Sequence, residues 1–266
     1  SRKAAQHIMN DMKFGLIGHP IEHSMSPTLF KAGYDGRYPY ELIETPDLED
    51  AYARFIQEYD GINVTAPFKE GALRKADIIS EECRLTGATN LLIKTPEGIK
   101  AYNSDYRGVK KWLEERSADF EGEVKVLIVG YGGAGKAAAA AARSLGMDVC
   151  IMNRTITEDS IRPLDEFRRG FRESDIIIYN IPGPIPQMDE LGEDDFRGGT
   201  DLSRKIILEA NYREPSFTVG LKGKMAQANP LAEYVSGRTW LLYQAVTGYE
   251  IFTGERPDLA KMAEVI

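Results

Sequence analysis

Short apolar runs alternate with amphipathic stretches along the first hundred residues. The runs KFGLIG (13–18), PYELIET (39–45) and GINVT (61–65) are predicted strands, and residues 47–58 carry apolar side chains at helical spacing. The segments NLLIK and IKAYN flank Pro96-Glu97-Gly98, which predicts a hairpin turn between two further strands. This alternation predicts an α/β domain in the first part of the chain.

The pattern changes near residue 105, beyond which the apolar strands become continuous. Such uniform runs are typical of strands buried on both faces, and they are VKVLIVG (124–130), MDVCIMN (147–153), DIIIYNI (175–181) and KIILEA (205–210). Helical stretches separate them, including one predicted over 134–145 that ends before Gly146. The predicted fold class is α/β, with two α/β domains, the second a Rossmann-type, doubly wound parallel sheet. The tail 239–265 is predicted to be helical, and its pattern leaves open which domain it joins.

The charge balance is acidic, with 33 Lys and Arg against 41 Asp and Glu and a formal net charge of −8. An acidic chain without a basic run is a poor nucleic-acid binder, so an anionic ligand would need a local site. No apolar stretch reaches the length that spans a bilayer, and the N-terminus lacks the apolar core of a signal peptide. We therefore expect neither nucleic acid nor a membrane as a partner.

The two cysteines, Cys83 and Cys150, are too few for a disulfide framework and predict a reducing, cytoplasmic location. Histidines give no metal site, because Pro20 between His19 and His23 prevents the pair from sharing a helical turn. No metal is expected.

A glycine-rich turn follows the first continuous strand. It matches G-x-G-x-x-G over residues 130–135, after a buried strand and before a helix. Glycine permits the tight turn and the approach of the backbone to a pyrophosphate, and the helix start supplies unpaired N–H groups. The alternative is a tight turn without a ligand. The residues predicted to bind a dinucleotide are Gly130, Gly132, Gly133, Ala134 and Gly135.

The strand after this turn ends in Asn153-Arg154-Thr155, about 20 residues beyond the motif, where NAD-specific sites usually carry an acidic residue for the ribose 2′-OH. Arg154 would instead attract a 2′-phosphate and could stack on adenine. The sequence therefore predicts NADP as the cofactor, held by Asn153, Arg154 and Thr155. The alternative is an ordinary solvated arginine at a strand end.

Two serines follow the first strand at a spacing of two. In an extended loop the hydroxyls of Ser24 and Ser26 face the same way, and Ser26-Pro27 has the pattern of a helix start with Ser26 as the N-cap. Two hydroxyls beside a helix start would suit a carboxylate.

Further polar residues lie where other strands end. Asn63 and Thr65 share one face of the third strand, and Lys69 opens the next helix, where its charge is disfavoured. A local misfit of this kind is typical of a functional site. Two more polar ends are GATN (87–90) and YNSD (102–105).

These residues resemble the shikimate dehydrogenase family. The segments HSMSP, NVTAPFK, GATN, YNSD, GYGGAG and NRT occur in the order and spacing of that family, and the likeness continues with Tyr212 before Pro215 and with LLYQA around Gln244. The resemblance covers nearly the whole chain from Met12 onward. It implies the NADP-dependent, reversible reduction of 3-dehydroshikimate to shikimate in aromatic amino acid (chorismate) biosynthesis, by a monomer or homodimer.

The resemblance also implies domain and residue roles. Residues 12–104 with 240–266 would form the substrate-binding catalytic domain, and residues 105–239 the NADP-binding domain. Lys69 and Asp105 would be the catalytic pair. For the substrate, the implied contacts are Ser24 and Ser26 to the carboxylate with Tyr212 nearby, and Thr65, Asn90 and Gln244 to ring hydroxyls.

A few positions depart from the family pattern. Tyr131 replaces a small residue in the glycine turn, and Ser104 replaces a threonine before the aspartate. Glu158 stands where a second basic residue often supports the 2′-phosphate, and Glu209 where an aspartate is common. The change at Glu158 bears on the strictness of the preference for NADP.

The paired serines and NVTAPFK disfavour another two-domain dehydrogenase, of the amino-acid or folate-linked type. Two further functions stay open at this point. One is a quinate/shikimate dehydrogenase that prefers NAD, which Arg154 disfavours. The other is a non-catalytic protein that binds a dinucleotide or a shikimate-like acid, which the presence of both Lys69 and Asp105 disfavours.

Overall fold

The computed structural model of the chain describes Arg2, residues 11–198 and residues 202–266. The chain forms two compact units, one of residues up to Gly108 together with Leu242–Ile266, the other of Val109–Leu241. Each unit has its own six-stranded sheet. These mixed α/β units confirm the predicted fold class.

The first unit carries a mixed sheet of strands β1 (Phe14–Gly18), β2 (Tyr40–Glu44), β3 (Gly61–Val64), β4 (Ile78–Ile79), β5 (Leu91–Thr95) and β6 (Gly98–Tyr102). The strand order is β2-β1-β3-β5-β6-β4, with β1 parallel to β2 and β3, and β5 antiparallel to β3 and β6. The carboxyl ends of β1, β3 and β6 therefore share one edge of the sheet with the amino end of β5.

From residue 11 onward, the helices that follow these strands are α1 (Ser26–Tyr34), α2 (Leu48–Glu58), α3 (Lys69–Lys75), α4 (Glu81–Thr86) and α5 (Ser104–Ser117), the last of which continues into the second unit. Asp47 caps α2 by accepting a hydrogen bond from the Glu49 N–H, and acidic residues follow in the first turn. The apolar face of α2 buries Ala51 and Phe55 against the sheet.

The second unit carries a fully parallel sheet of strands β7 (Lys125–Val129), β8 (Asp148–Met152), β9 (Ile161–Arg162), β10 (Ile176–Tyr179), β11 (Lys205–Glu209) and β12 (Ala232–Val235). The order is β12-β11-β10-β7-β8-β9. Its helices are α6 (Gly133–Ser144), α7 (Phe167–Glu173), α8 (Glu193–Arg197) and α9 (Val219–Ala228), with 3₁₀ turns at Leu164–Glu166 and Pro186–Glu190. Strands β8 and β9 lie on one side of β7, and β10, β11 and β12 lie on the other, so the direction in which strands are added reverses between β7 and β10. Doubly wound sheets bind ligands at such a switch point.

Two C-terminal helices complete the chain, α10 (Gly237–Thr253) and α11 (Leu259–Glu264). Gly254 breaks them apart with a left-handed φ of 72°. Phe252 near the end of α10 stacks on Phe14 of β1, with ring centroids 4.9 Å apart. This aromatic contact holds the end of the chain in the core of the first unit.

Lys205 is a charged residue in the core of the second unit. It is 1% exposed, and its Nζ donates to the carbonyl oxygens of Phe171 at 2.6 Å and of Ser174, where α7 ends. Burial lowers the pKa of Lys205 to about 8, against the opposing effect of Asp175 and Asp195. The ammonium therefore satisfies carbonyl groups that the end of a helix leaves unpaired.

The two cysteines lie in different units. Cys83 of α4 is fully buried and Cys150 of β8 is half-buried, and both thiols are free. Burial raises the pKa of each thiol. Within the described residues, no helix has the length and apolar character needed to cross a membrane.

Candidate active site and dinucleotide site

Lys69 and Asp105 meet at the edge of the first sheet where β3 and β6 end. The Lys69 Nζ lies 3.1 Å from the Asp105 Oδ2, and each side chain is 26% exposed. Lys69 begins α3 and Asp105 lies in the first turn of α5, so two helix starts present the pair. The contact leaves both groups accessible to a small molecule, as a proton donor and its orienting partner require.

A second pair of polar side chains lies beside them. Asn90 precedes β5 and Gln244 lies on α10, and Ser104 bridges their amide groups. The Ser104 Oγ accepts from the Asn90 Nδ2 at 2.8 Å and donates to the Gln244 Oε1 at 3.0 Å. Because Asp105 is the next residue, the structure brings the four residues Lys69, Asp105, Asn90 and Gln244 together.

The start of α1 differs from the prediction. Met25, and not Ser26, is the N-cap, and no side chain caps this helix. The Ser24 Oγ instead accepts a hydrogen bond from the Ser26 N–H at 3.2 Å, so Ser24 orders the loop before the helix. Both serines are half-buried in the loop between β1 and α1, and Pro27 lies in the first turn as predicted.

Thr65 directly follows β3 and is half-buried, and its backbone N–H donates to the Ile17 carbonyl at 3.0 Å. Neighbouring Asn63 is held by the Tyr40 hydroxyl, which donates to the Asn63 Oδ1 at 2.8 Å. The Tyr249 hydroxyl donates to the Ser26 carbonyl at 3.3 Å. Burial raises the pKa of both tyrosines, so each stays a neutral donor.

The sequence alone predicts no role at this site for Tyr40 or Tyr249. Helical spacing gives no signal for Tyr249, because a separation of five residues turns its side chain about 140° away from that of Gln244 on the same helix.

The glycine turn between β7 and α6 has the geometry of a dinucleotide cradle. Gly130 has a left-handed φ of 93°, and a Cβ on Gly135 would lie 2.0 Å from the Gly130 carbonyl oxygen. Gly132 and Gly133 are exposed, with open space where a Cβ on Gly132 would lie. Two glycines are thus required by the backbone, and a third leaves room for a pyrophosphate at the helix start.

The loop after β8 is tied to this turn. The Tyr131 N–H donates to the Asn153 Oδ1 at 3.3 Å, and the Asn153 Nδ2 donates to the Thr155 carbonyl at 3.1 Å. Asn153 therefore uses both ends of its amide to shape the loop, while Arg154 and Thr155 are exposed. Glu158, also exposed, accepts a hydrogen bond from Ser160 within the same loop.

A second cation borders the turn. Lys136, in the first turn of α6, places its Nζ 5.8 Å from the centroid of the Tyr131 ring. Sequence reasoning did not single out Lys136, although a basic residue directly after the last glycine of the motif is a readable signal for an anion.

Tyr212 lies in the second unit, half-buried in the loop after β11. Glu209, at the end of β11, holds this loop by accepting from the Ser216 N–H at 2.6 Å and the Tyr234 hydroxyl at 2.6 Å. The part implied for Tyr212 at the substrate carboxylate stays a prediction. Among residues 11–198 and 202–266, no group of three or more His, Cys, Asp or Glu could hold a metal ion.

The parallel sheet with its glycine turn defines the class of protein as a dinucleotide-dependent dehydrogenase. Consistent with this class, residues 90–187 match the family model described as "D-isomer specific 2-hydroxyacid dehydrogenase, NAD binding domain", and residues 16–92 match "Shikimate dehydrogenase substrate binding domain". The chain belongs to the shikimate dehydrogenase family.

Relatives of known name support this membership. The chain is 33% identical to a shikimate dehydrogenase (NADP(+)) of an Exiguobacterium species, over 93% of this chain and 95% of the relative. It is 30% identical to that of Caldanaerobacter subterraneus subsp. tengcongensis, over 91% of each. The crystal structure of shikimate 5-dehydrogenase from Thermus thermophilus in complex with NADP(H) and shikimate matches with a TM-score of 0.75 at 26% identity, over 96% of this chain and 98% of that one.

Proposed function

We propose that this protein is an NADP-dependent shikimate dehydrogenase, an oxidoreductase that interconverts 3-dehydroshikimate and shikimate in the shikimate pathway. The observation that carries the proposal is the Lys69–Asp105 contact of 3.1 Å beside the Asn90–Ser104–Gln244 network. A ketone or alcohol flanked by hydroxyls needs both a proton donor at the reacting oxygen and amides that bind its neighbours.

The residues of the second unit fit a dinucleotide. The cradle at Gly130, Gly132 and Gly135 admits a backbone approach to the pyrophosphate, and Arg154 is an exposed cation where the 2′-phosphate would be held. The bound cofactor would supply the hydride as NADPH or accept it as NADP⁺, which is the part of the reaction that no side chain can perform.

Lys69 acts at the reacting oxygen. When the ketone is reduced, negative charge develops on its oxygen, and the Lys69 ammonium stabilises that charge and donates the proton. In the reverse direction the neutral amine accepts the proton of the alcohol. Asp105 orients the Lys69 side chain through a charge-assisted hydrogen bond.

The remaining contacts orient the substrate. Asn90, Gln244 and Thr65 are assigned to its ring hydroxyls, and Ser24 and Ser26 to its carboxylate, with Tyr212 as a further proposed contact. Each hydroxyl or amide offers a hydrogen bond that an analogue without the matching group would leave unmade.

The test is a rate assay with the purified protein, with shikimate or quinate as substrate, following the absorbance of the NADPH formed from NADP or of the NADH formed from NAD. We expect turnover with shikimate and NADP, and a lower kcat/KM for NAD and for quinate. Preference for quinate with NAD would replace the proposal by the second candidate. Binding of shikimate and NADP without turnover would mean a binding protein.

We further propose a cytoplasmic location and a monomer or homodimer as the assembly. The two free thiols, one of them fully buried, support a reducing compartment. Light scattering of the purified protein tests the assembly.

A further inference from the structure

Ser104 is a fully buried hydroxyl between two amides of the proposed substrate site. Three hydrogen bonds converge on it: its N–H donates to the Asn90 Oδ1 at 2.7 Å, its Oγ accepts from the Asn90 Nδ2 at 2.8 Å, and its Oγ donates to the Gln244 Oε1 at 3.0 Å. No role at this position followed from the sequence.

The backbone N–H of Ser104 fixes the orientation of the Asn90 amide in this network. A backbone N–H can only donate, so the atom of Asn90 that faces the Ser104 N–H must be its oxygen. The other end of the Asn90 amide is then a donor, and the Ser104 Oγ accepts from it. The single hydroxyl proton of Ser104 is directed to its other partner, the amide oxygen of Gln244 at 3.0 Å.

Glycines on both helices bring these residues within reach of so short a side chain. A Cβ on Gly108 of α5 would lie 2.6 Å from the Gln244 backbone nitrogen, and a Cβ on Gly248 of α10 would lie 3.1 Å from the Ser104 Cβ. Any larger residue at Gly108 would force the helices apart, because a heavy-atom contact below 3.0 Å requires the backbone to move. The close crossing lets a serine connect Asn90 to Gln244 directly.

We propose that Ser104 is a positioning residue that sets the hydrogen-bond polarity of the substrate site. It holds the oxygen end of the Gln244 amide, so that the nitrogen end is the one presented as a donor to a ring hydroxyl oxygen of the substrate. This inference rests on the proposed function. It assigns to Ser104 an effect on substrate binding without contact between Ser104 and the substrate.

The Ser104→Ala variant isolates the link to Gln244. The backbone N–H of residue 104 persists in this variant, so the Asn90 oxygen stays held, whereas the Gln244 amide oxygen loses the Ser104 hydroxyl. We expect the KM for shikimate to rise by about tenfold, with the KM for NADP unchanged within a factor of two, because one buried hydrogen bond that orients a ligand group is lost. Ser104→Thr keeps the hydroxyl and should have the wild-type KM for shikimate.

Two variants of Gln244 test whether Ser104 acts through it. In a Gln244→Ala background, Ser104→Ala should change the KM for shikimate by less than a factor of two. Gln244→Glu keeps an acceptor for Ser104 but has no donor to present when ionised, so it should raise the KM as much as Gln244→Ala. An equal loss from Ser104→Ala in both backgrounds, or wild-type binding by Gln244→Glu, overturns the proposal.

Thr253→Ala is the matched control. Thr253 is another buried hydroxyl on α10, bonded to the Tyr34 hydroxyl at 2.8 Å and away from the proposed contacts. It should lower the Tm and leave the KM for shikimate unchanged. If Ser104→Ala does not fold, Ser104→Cys, with its weaker donor, must show the raised KM instead. Wild-type protein without shikimate turnover contradicts the proposed function, whereas an active wild type with an unaffected Ser104→Ala contradicts this inference alone.

Discussion

Lys69 begins a helix, where backbone N–H groups disfavour a positive charge, and its ion-pair partner is a carboxylate 3.1 Å away. Lys69→Ala should lower kcat by roughly 10²- to 10⁴-fold, the range for loss of a positioned proton donor. The KM for shikimate should change much less, because the interaction is strongest in the transition state. Steady-state kinetics check both values. Lys75→Ala on the same helix, where Lys75 pairs with Glu49 at 2.5 Å, is the control. Turnover near the wild-type rate in Lys69→Ala would remove Lys69 from the mechanism.

Ser24 and Ser26 should differ in their effect on stability. The sequence predicts Ser26 as the helix cap, whereas in the structure it is the Ser24 side chain that makes the local hydrogen bond. Ser24 accepts from the Ser26 N–H, whereas no side chain caps α1. Both Ser24→Ala and Ser26→Ala should raise the KM for shikimate by roughly 10- to 100-fold, the worth of a hydrogen bond to a charged group. Only Ser24→Ala should also lower the free energy of unfolding, by about 1 kcal/mol, because only this variant loses the hydrogen bond from the Ser26 N–H. Denaturant titration and kinetics measure the two effects, with exposed Thr28→Ala as the control. A loss of stability in Ser26→Ala alone would mean that Ser26 is the N-cap of α1, as the sequence predicts.

Arg154 is an exposed cation in a loop that also carries Glu158. Arg154→Ala should raise the KM for NADP by roughly 10- to 100-fold and leave the KM for NAD nearly unchanged, because only NADP carries the 2′-phosphate. The loss should shrink at high salt, since an exposed ion pair is screened. Kinetics with both cofactors at two salt concentrations check this. Arg169→Ala, an exposed arginine of α7 near Glu173, is the control. Equal losses for both cofactors would mean that Arg154 contacts adenine or supports the fold.

At the scale of elements, Lys205, which binds carbonyl groups at the end of α7, makes the free energy of unfolding depend on pH. Its pKa of about 8 in the folded protein lies below the ordinary 10.5, so between these values the unfolded chain binds a proton that the folded chain does not. The free energy of unfolding should therefore rise with pH through this window, by up to about 3 kcal/mol relative to Lys205→Met. Urea unfolding at pH 7 and pH 10 measures it, with exposed Lys125→Met as the control. A difference between wild type and Lys205→Met that does not vary with pH would contradict the assignment.

Elements with strong periodicity were predictable, and those fixed by tertiary pairing were not. The predicted run 124–130 became β7 (Lys125–Val129), and the predicted hairpin became β5 and β6. Sequence reasoning missed β4 and β9, each of two residues, because so short a strand has no periodicity and exists through its neighbour. It also missed β12, whose residues are mostly half-buried at the sheet edge.

The candidate site followed the same division. Sequence motifs identified Lys69, Asp105 and the glycine turn, because residue type and spacing alone predict the chemistry of these positions. Ser104, Tyr40 and Tyr249 were not assigned, since their importance comes from partners far away in the chain, such as Gln244, 140 residues from Ser104. Residue type alone cannot show which end of an amide is already engaged.

At the scale of the whole molecule, the chain has one cysteine in each compact unit and no others. Cys83 is fully buried, so its modification by a thiol reagent requires local or global opening of the first unit. Cys150 is half-buried, so its labelling rate combines reaction of the closed form with opening of the second unit. Two single-cysteine variants, Cys83→Ala and Cys150→Ala, then let the opening of each unit be measured separately.

Each ligand should slow labelling of the cysteine in the unit to which it binds. Shikimate at about 100 times its Kd should slow labelling of Cys83 by up to roughly 100-fold, because a ligand that binds only the closed form stabilises it by about 2.7 kcal/mol. NADP should slow labelling of the half-buried Cys150 by a smaller factor, because the closed form also reacts. Labelling followed by mass spectrometry at several ligand concentrations measures the effect, and mannitol serves as the inert control. Protection of Cys83 by NADP alone would reverse the assignment of ligands to units. The two thiols thus provide two labelling rates, measurable in one sample, that test the proposed assignment of shikimate to the first unit and NADP to the second.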